Sequence, residues 1–149
     1  MRLLFVCTGN TCRSPMASAY VSAELRRRGR GDIAVRSAGL AAYAGAPASA
    51  PAIEVMARNG IDLTGFRSTR LSAPLLDESD RVVCMTGGHC RAVAALLPQG
   101  AAKVSTLIPG ADVPDPYGGS VETYEAVWRI MRPALDNLLN QLSGDTQHE

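Results

Sequence analysis

Arg2-Leu3-Leu4-Phe5-Val6 runs apolar without a break and then opens into Cys7-Thr8-Gly9-Asn10-Thr11-Cys12-Arg13-Ser14-Pro15. The continuous run predicts a buried strand, and Ser14-Pro15 ahead of Met16-Ala17 predicts a helix N-cap with proline at the first helical position. Cys7 is therefore expected at the C-terminal end of a strand, beneath a helix N-terminus. In that place loop amides can curl round an anion, and the helix dipole adds roughly half a positive charge, so a phosphate fits. The same field favours a thiolate, which can attack phosphorus. Arg13 closes a C-x5-R spacing and offers a planar fork to two phosphoryl oxygens. A structural cysteine beside a solvent-facing arginine is the plainer reading of that spacing. It does not explain why strand, Gly9, Asn10, Ser14 and Pro15 coincide. The nucleotide-binding pattern G-x-x-x-x-G-K-[ST] does not occur.

Outward from this loop, strand and helix signals alternate. Met16 to Arg28 has apolar residues at helical spacing, with Arg26-Arg27-Arg28 in its last turn before Gly29. Asp32 to Gly39 reads as a second strand, parallel to the first if the crossover is right-handed. Leu40 to Pro47 is loop, Ala48 to Asn59 a helix, Gly65 to Ser72 irregular, and Ser72 to Leu76 a short helical turn. Arg67 and Arg70 in the irregular stretch read either as a substrate rim or as surface charge. Arg81 to Met85 is a third strand, Gly87-Gly88 a turn, His89 to Leu97 a helix halted by Pro98, and Lys103 to Leu107 a fourth strand. Val121, Tyr124, Trp128, Met131, Leu135, Leu138 and Leu142 then form one apolar stripe, the core face of a last helix that Pro133 should kink. The pattern predicts an α/β protein with helices on both faces of a parallel sheet, whose ligands bind at the C-terminal strand edge.

The chain has 149 residues, the size of one domain; the expectation is a single domain over residues 1–142 with 143–149 fraying. Its net charge of +1 argues against a nucleic-acid or acidic-lipid surface, so phosphate recognition should be local. The apolar run at the start is too short for a signal-peptide core or a membrane span, which predicts a cytoplasmic protein without a membrane partner. Cysteines at 7, 12, 84 and 90 include no C-x2-C pair and the chain has 2 histidines, so neither a metal nor any other cofactor is expected. If the loop curls, the Cys7 and Cys12 sulfurs can close a reversible disulfide; alternatively Cys12 is a small packed residue.

Between the fourth strand and the last helix lies Asp112-Val113-Pro114-Asp115-Pro116-Tyr117-Gly118-Gly119-Ser120. Phosphoryl transfer to Cys7 requires a carboxylic acid that protonates the leaving group and later activates water. Asp115, stiffened by prolines on both sides, is the candidate. Local sequence leaves open both Asp112 and an ordinary Asp-Pro turn.

Cys7 to Pro15, together with the chain length, resembles the low-molecular-weight protein tyrosine phosphatase family. The resemblance implies a three-layer, four-stranded parallel sheet of flavodoxin-like, doubly wound topology. It further implies a phosphocysteine at Cys7, phosphate and transition-state binding by Arg13, loop shaping by Asn10 and a thiolate steadied by the Ser14 hydroxyl. Thr8, Gly9, Thr11 and Cys12 complete the phosphate-binding loop, with Cys12 as redox partner of Cys7. Asp115-Pro116-Tyr117 matches the family's Asp-Pro-aromatic general acid, with Tyr117 walling the pocket. Thr11 and Gly118-Gly119 depart from the phosphotyrosine pattern and look more like the family's protein arginine phosphatases. Threonine offers a hydroxyl and less bulk to a planar cation. The expected partners are phosphorylated proteins, with phosphate or other oxyanions as inhibitors at the loop, and a monomer is expected. Related arsenate reductases share much of the loop but place a distal cysteine where this chain has Thr86. A phosphate-binding module without catalysis would have lost Cys7, Arg13 or Asp115.

Overall fold

The computed structural model describes residues 1–97 and 99–147. The halt expected at Pro98 lies outside the described residues. Four strands, β1 (Arg2–Cys7), β2 (Ala34–Gly39), β3 (Arg81–Cys84) and β4 (Val104–Thr106), pair entirely in parallel in the order β2-β1-β3-β4. They alternate with α1 (Arg13–Arg27), α2 (Ala50–Arg58), α3 (Ala73–Glu78), α4 (Gly87–Ala95) and α5 (Val121–Gln147).

Side chains alternate across a strand, and β1 feeds two cores in that way. Leu3, Phe5 and Cys7 face a large cluster with Met16, Val55, Trp128 and Leu135, while Leu4 and Val6 face a smaller one with Leu75, Leu76 and Val93. Helices α1, α2 and α5 therefore cover one face and α3 and α4 the other, giving the three layers expected. Because the chain steps from β1 to β2 in one direction and from β3 to β4 in the other, the order reverses between β1 and β3. Loops leaving the sheet there splay to opposite faces and open a crevice.

Of the α5 stripe, Tyr124, Trp128, Met131, Leu135, Leu138 and Leu142 are buried, and Val121 at its start is half-buried against the same cluster. The helix is continuous through Pro133, whose ring sits on the exposed face, where water can satisfy the carbonyl freed at Arg129. It also runs to Gln147, past Leu142, where the tail was expected to begin. Two further expectations need correction. The N-cap of α1 is Cys12, not Ser14, and Gly87-Gly88, expected as a turn ahead of a helix starting at His89, already belongs to α4, because Thr86 Oγ1 accepts the His89 amide at 3.0 Å. Among the described residues no helix is long and apolar enough to cross a membrane.

Gly39, at the end of β2, touches the loop that follows β1. A β-carbon there would lie 2.6 Å from Thr8 O and 2.9 Å from Asn10 N, while Leu40 N–H and Ala41 N–H donate to Cys7 O and Thr8 O at 2.9 Å. Gly39→Ala should therefore cost about 1–3 kcal/mol, read as a lower urea midpoint at unchanged slope. An unchanged midpoint would refute this account of the contact.

Candidate active site

Residues 7–14 form a closed cradle at the C-terminal end of β1. Its shape depends on Asn10, which is fully buried with φ +56, a left-handed conformation that asparagine tolerates better than most side chains. The Thr69 amide can only donate, so the Asn10 Oδ1 that receives it at 2.8 Å fixes the orientation of the side-chain amide. Nδ2 then donates to Ser14 Oγ at 2.8 Å and Ser37 Oγ at 3.0 Å. With the Asn10 proton on its oxygen, Ser14 is free to direct its own proton at Cys7 Sγ, 2.8 Å away. The Asn10 amide reaches the same sulfur at 3.3 Å. Two donors thus converge on Cys7, an arrangement suited to a thiolate. Among the described residues the amides of Thr8, Gly9, Thr11 and Cys12 have no acceptor in the protein, which leaves them for a ligand.

Arg13 opens α1 with 4% of its surface exposed. Its Nη1 donates to Val113 O at 2.9 Å, and Nη2 lies 3.9 Å from Asp115 Oδ2. Val113 is itself held by its amide on Met85 O at 2.8 Å. The segment after β4 is thereby clamped against the cradle, and the structure separates its two acids. Asp112 Oδ1 accepts the Gly87 amide at 2.8 Å at the N-terminus of α4, whereas Asp115 lines the pocket with its side chain 57% exposed. Asp115 Oδ1 accepts the Tyr117 amide at 3.0 Å, and Gly119 N–H closes the next turn onto Pro116 O at 2.8 Å. Gly118 occupies the left-handed position of that turn with φ +79, which explains why glycine stands there.

The resulting pocket has a volume of about 340 Å³, within the range of small-ligand sites. Cys7 and Arg13 form its floor, Thr11 a wall and Asp115 its edge, with Tyr117 and Tyr43 at the mouth. Arg67 and Arg70 do not line it. Cys12 is a free, buried thiol whose sulfur is 3.1 Å from Tyr124 OH and 3.7 Å from Ser49 Oγ. Burial, reinforced by the contact with Cys12, pushes the Tyr124 phenol up to about 12. Cys84 is fully buried and, chiefly through desolvation, its thiol is pushed up to about 12, a poor relay for redox chemistry. Thr86 serves as a helix cap.

Ser37, Thr69, Tyr43 and His89 belong to this site and escaped sequence reading. Ser37 was within reach: pairing β2 with β1 in parallel puts it opposite Phe5, near the strand end. The others lie in stretches read as loop, irregular chain or an ordinary helix, with no local motif.

A family model described as low molecular weight phosphotyrosine protein phosphatase matches residues 2–148. A protein-arginine-phosphatase of Geobacillus stearothermophilus is 37% identical over 99% of this chain and 97% of its own length. Another, of Bacillus subtilis (strain 168), is 38% identical over 96% and 95%. A solved structure of the YwlE arginine phosphatase, a cysteine-to-serine mutant with a phosphorylated active-site serine, superposes with a TM-score of 0.91 at 36% identity, covering 100% of both chains.

Proposed function

The chain belongs to the low molecular weight phosphotyrosine protein phosphatase family, and from that membership we propose that it removes phosphate from phosphoarginine side chains of proteins. The Cys7 sulfur attacks phosphorus opposite the leaving guanidine nitrogen, so that an S–P bond forms as the P–N bond breaks. Arg13 and the cradle amides receive the three equatorial oxygens, whose charge needs fixed donors. Asp115 gives its proton to the departing nitrogen. Its carboxylate then takes a proton from water as that oxygen bonds to phosphorus and the S–P bond breaks, returning thiolate and inorganic phosphate. One chain supplies every group named, which supports a monomer as the working unit. The absence of a long apolar helix among the described residues is consistent with action in the cytoplasm.

Thr11 carries the choice of substrate. It puts a hydroxyl into a pocket wall whose mouth is formed by two tyrosines, 86% and 78% exposed at Tyr43 and Tyr117. The hydroxyl has only a long contact to Cys12 Sγ, at 3.7 Å, so a guanidinium can donate to it and stack on the rings, whereas a phenyl ring offers it no donor. The test is kcat/KM on matched phosphoarginine and phosphotyrosine peptides. Wild-type protein should prefer phosphoarginine, and Thr11→Ile should move the ratio toward phosphotyrosine by about 10-fold or more. A wild-type preference for phosphotyrosine would overturn this assignment.

A further inference from the structure

Besides the contacts of Arg13 with Val113 and of Cys12 with Tyr124, the phosphate cradle is held at its start from the two neighbouring strand edges. Toward β2, Asn10 ties it to Ser37 and Thr69. Toward α4, among the described residues, a single hydrogen bond joins it: Thr8 Oγ1 and His89 Nε2 lie 2.8 Å apart. His89 is the third residue of α4, with its amide fixed on Thr86 Oγ1, so the ring is presented to the cradle by the helix start. The residue is buried, with 8% of its surface exposed, and its Nδ1 is buried without a partner.

A ring that forfeits half of its hydrogen-bonding capacity on burial loses stability by it, and the Thr8 contact compensates for part of that loss. Burial, and then the charge of Arg13, hold the imidazole below its ordinary pKa, opposed by Asp112 and Asp115. The ring is thus neutral, with one nitrogen protonated. Buried N–H donors are left unpaired more rarely than acceptors, which puts the proton on Nε2 and leaves Nδ1 bare. Nε2–H then donates to Thr8 Oγ1. The hydroxyl's own proton is left for the pocket, which Thr8 lines.

We propose that His89 is a positioning residue of the cradle: its Nε2–H fixes the Thr8 hydroxyl, holding the residue after Cys7 in place and leaving the Thr8 proton for an oxygen of the bound phosphoryl group. This rests on the cradle being the phosphate site. Losing His89 frees the Thr8 side chain, and the neighbouring amides of Thr8 and Gly9 lose their alignment on the anion.

The test uses the whole chain and inorganic phosphate, with its affinity measured by calorimetry beside kcat and KM. Thr8→Val and His89→Ala should each weaken phosphate binding about 3- to 10-fold and raise KM alike, with kcat less affected. The double variant should bind no more weakly than the worse single one, because both remove the same bond. His89→Gln, which can keep a donor at the Nε2 position, should recover most of the loss. Ring nitrogen NMR should report His89 protonated at Nε2, a signal easily assigned in a chain with 2 histidines. Unchanged affinity in Thr8→Val, multiplying effects in the double variant, a glutamine no better than alanine, or a ring protonated at Nδ1 overturns the proposal. If His89→Ala does not fold, Thr8→Val and His89→Gln decide it. Wild-type protein that does not bind phosphate at all overturns the reading of the cradle and this inference with it.

Discussion

Cys7→Ser should yield a folded protein whose turnover has fallen by at least about 10⁴-fold, since it removes the proposed nucleophile and little else. Cys7 is buried, 2% exposed, and its sulfur takes two hydrogen bonds, from the Asn10 amide and the Ser14 hydroxyl; a serine oxygen can receive both. The backbone of residue 7 stays opposite Gly39 in the ladder, so the urea midpoint should move by no more than about 1 kcal/mol of stability. What serine lacks is an accessible anion. The donors that favour a thiolate on sulfur act in the variant on an alcohol far too weak an acid to ionise, so attack on phosphorus stops while phosphate still binds. Activity within tenfold of wild type would end the covalent mechanism.

Asp115→Asn should lower kcat by about 10²–10⁴-fold on phosphoarginine peptides with little change in phosphate affinity. The amide keeps the Oδ1 contact with the Tyr117 N–H, so the turn through Gly118 survives while the proton is lost. The two chemical steps should then separate. An aryl phosphate whose leaving group departs unprotonated escapes the first requirement but not the second, since water attack on the phosphocysteine still lacks its base. The variant should accordingly release phenol in a burst of one equivalent and then turn over slowly. Asp112→Asn is the control: its carboxylate caps Gly87 at α4, asparagine can accept the same amide, and kcat should stay near wild type. A larger loss from Asp112→Asn than from Asp115→Asn would reverse the assignment of the acid.

The amino-acid sequence by itself determined the layers and the chemistry of this protein. The apolar run to Val6 demanded a covered strand, the stripe from Val121 to Leu142 a helix lying on the core, and C-x5-R beneath a helix start an anion cradle. Those signals are local, because backbone periodicity and the reach of a short loop involve residues a few positions apart. Ser14 was misread for the same reason: beside Pro15 it has the local marks of an N-cap, yet its hydroxyl is engaged by Asn10 and Cys7 and the cap falls to Cys12. Nor could local reading divide Asp112 from Asp115, since the difference lies in which of them the start of α4 takes up. The supports of the cradle were likewise beyond reach: Ser37, Thr69 and His89 meet it from 27, 59 and 81 residues away. Only the tertiary structure decided these, because a hydrogen bond of such span exists only once parallel pairing in the order β2-β1-β3-β4 has brought the ends of separate strands to one edge.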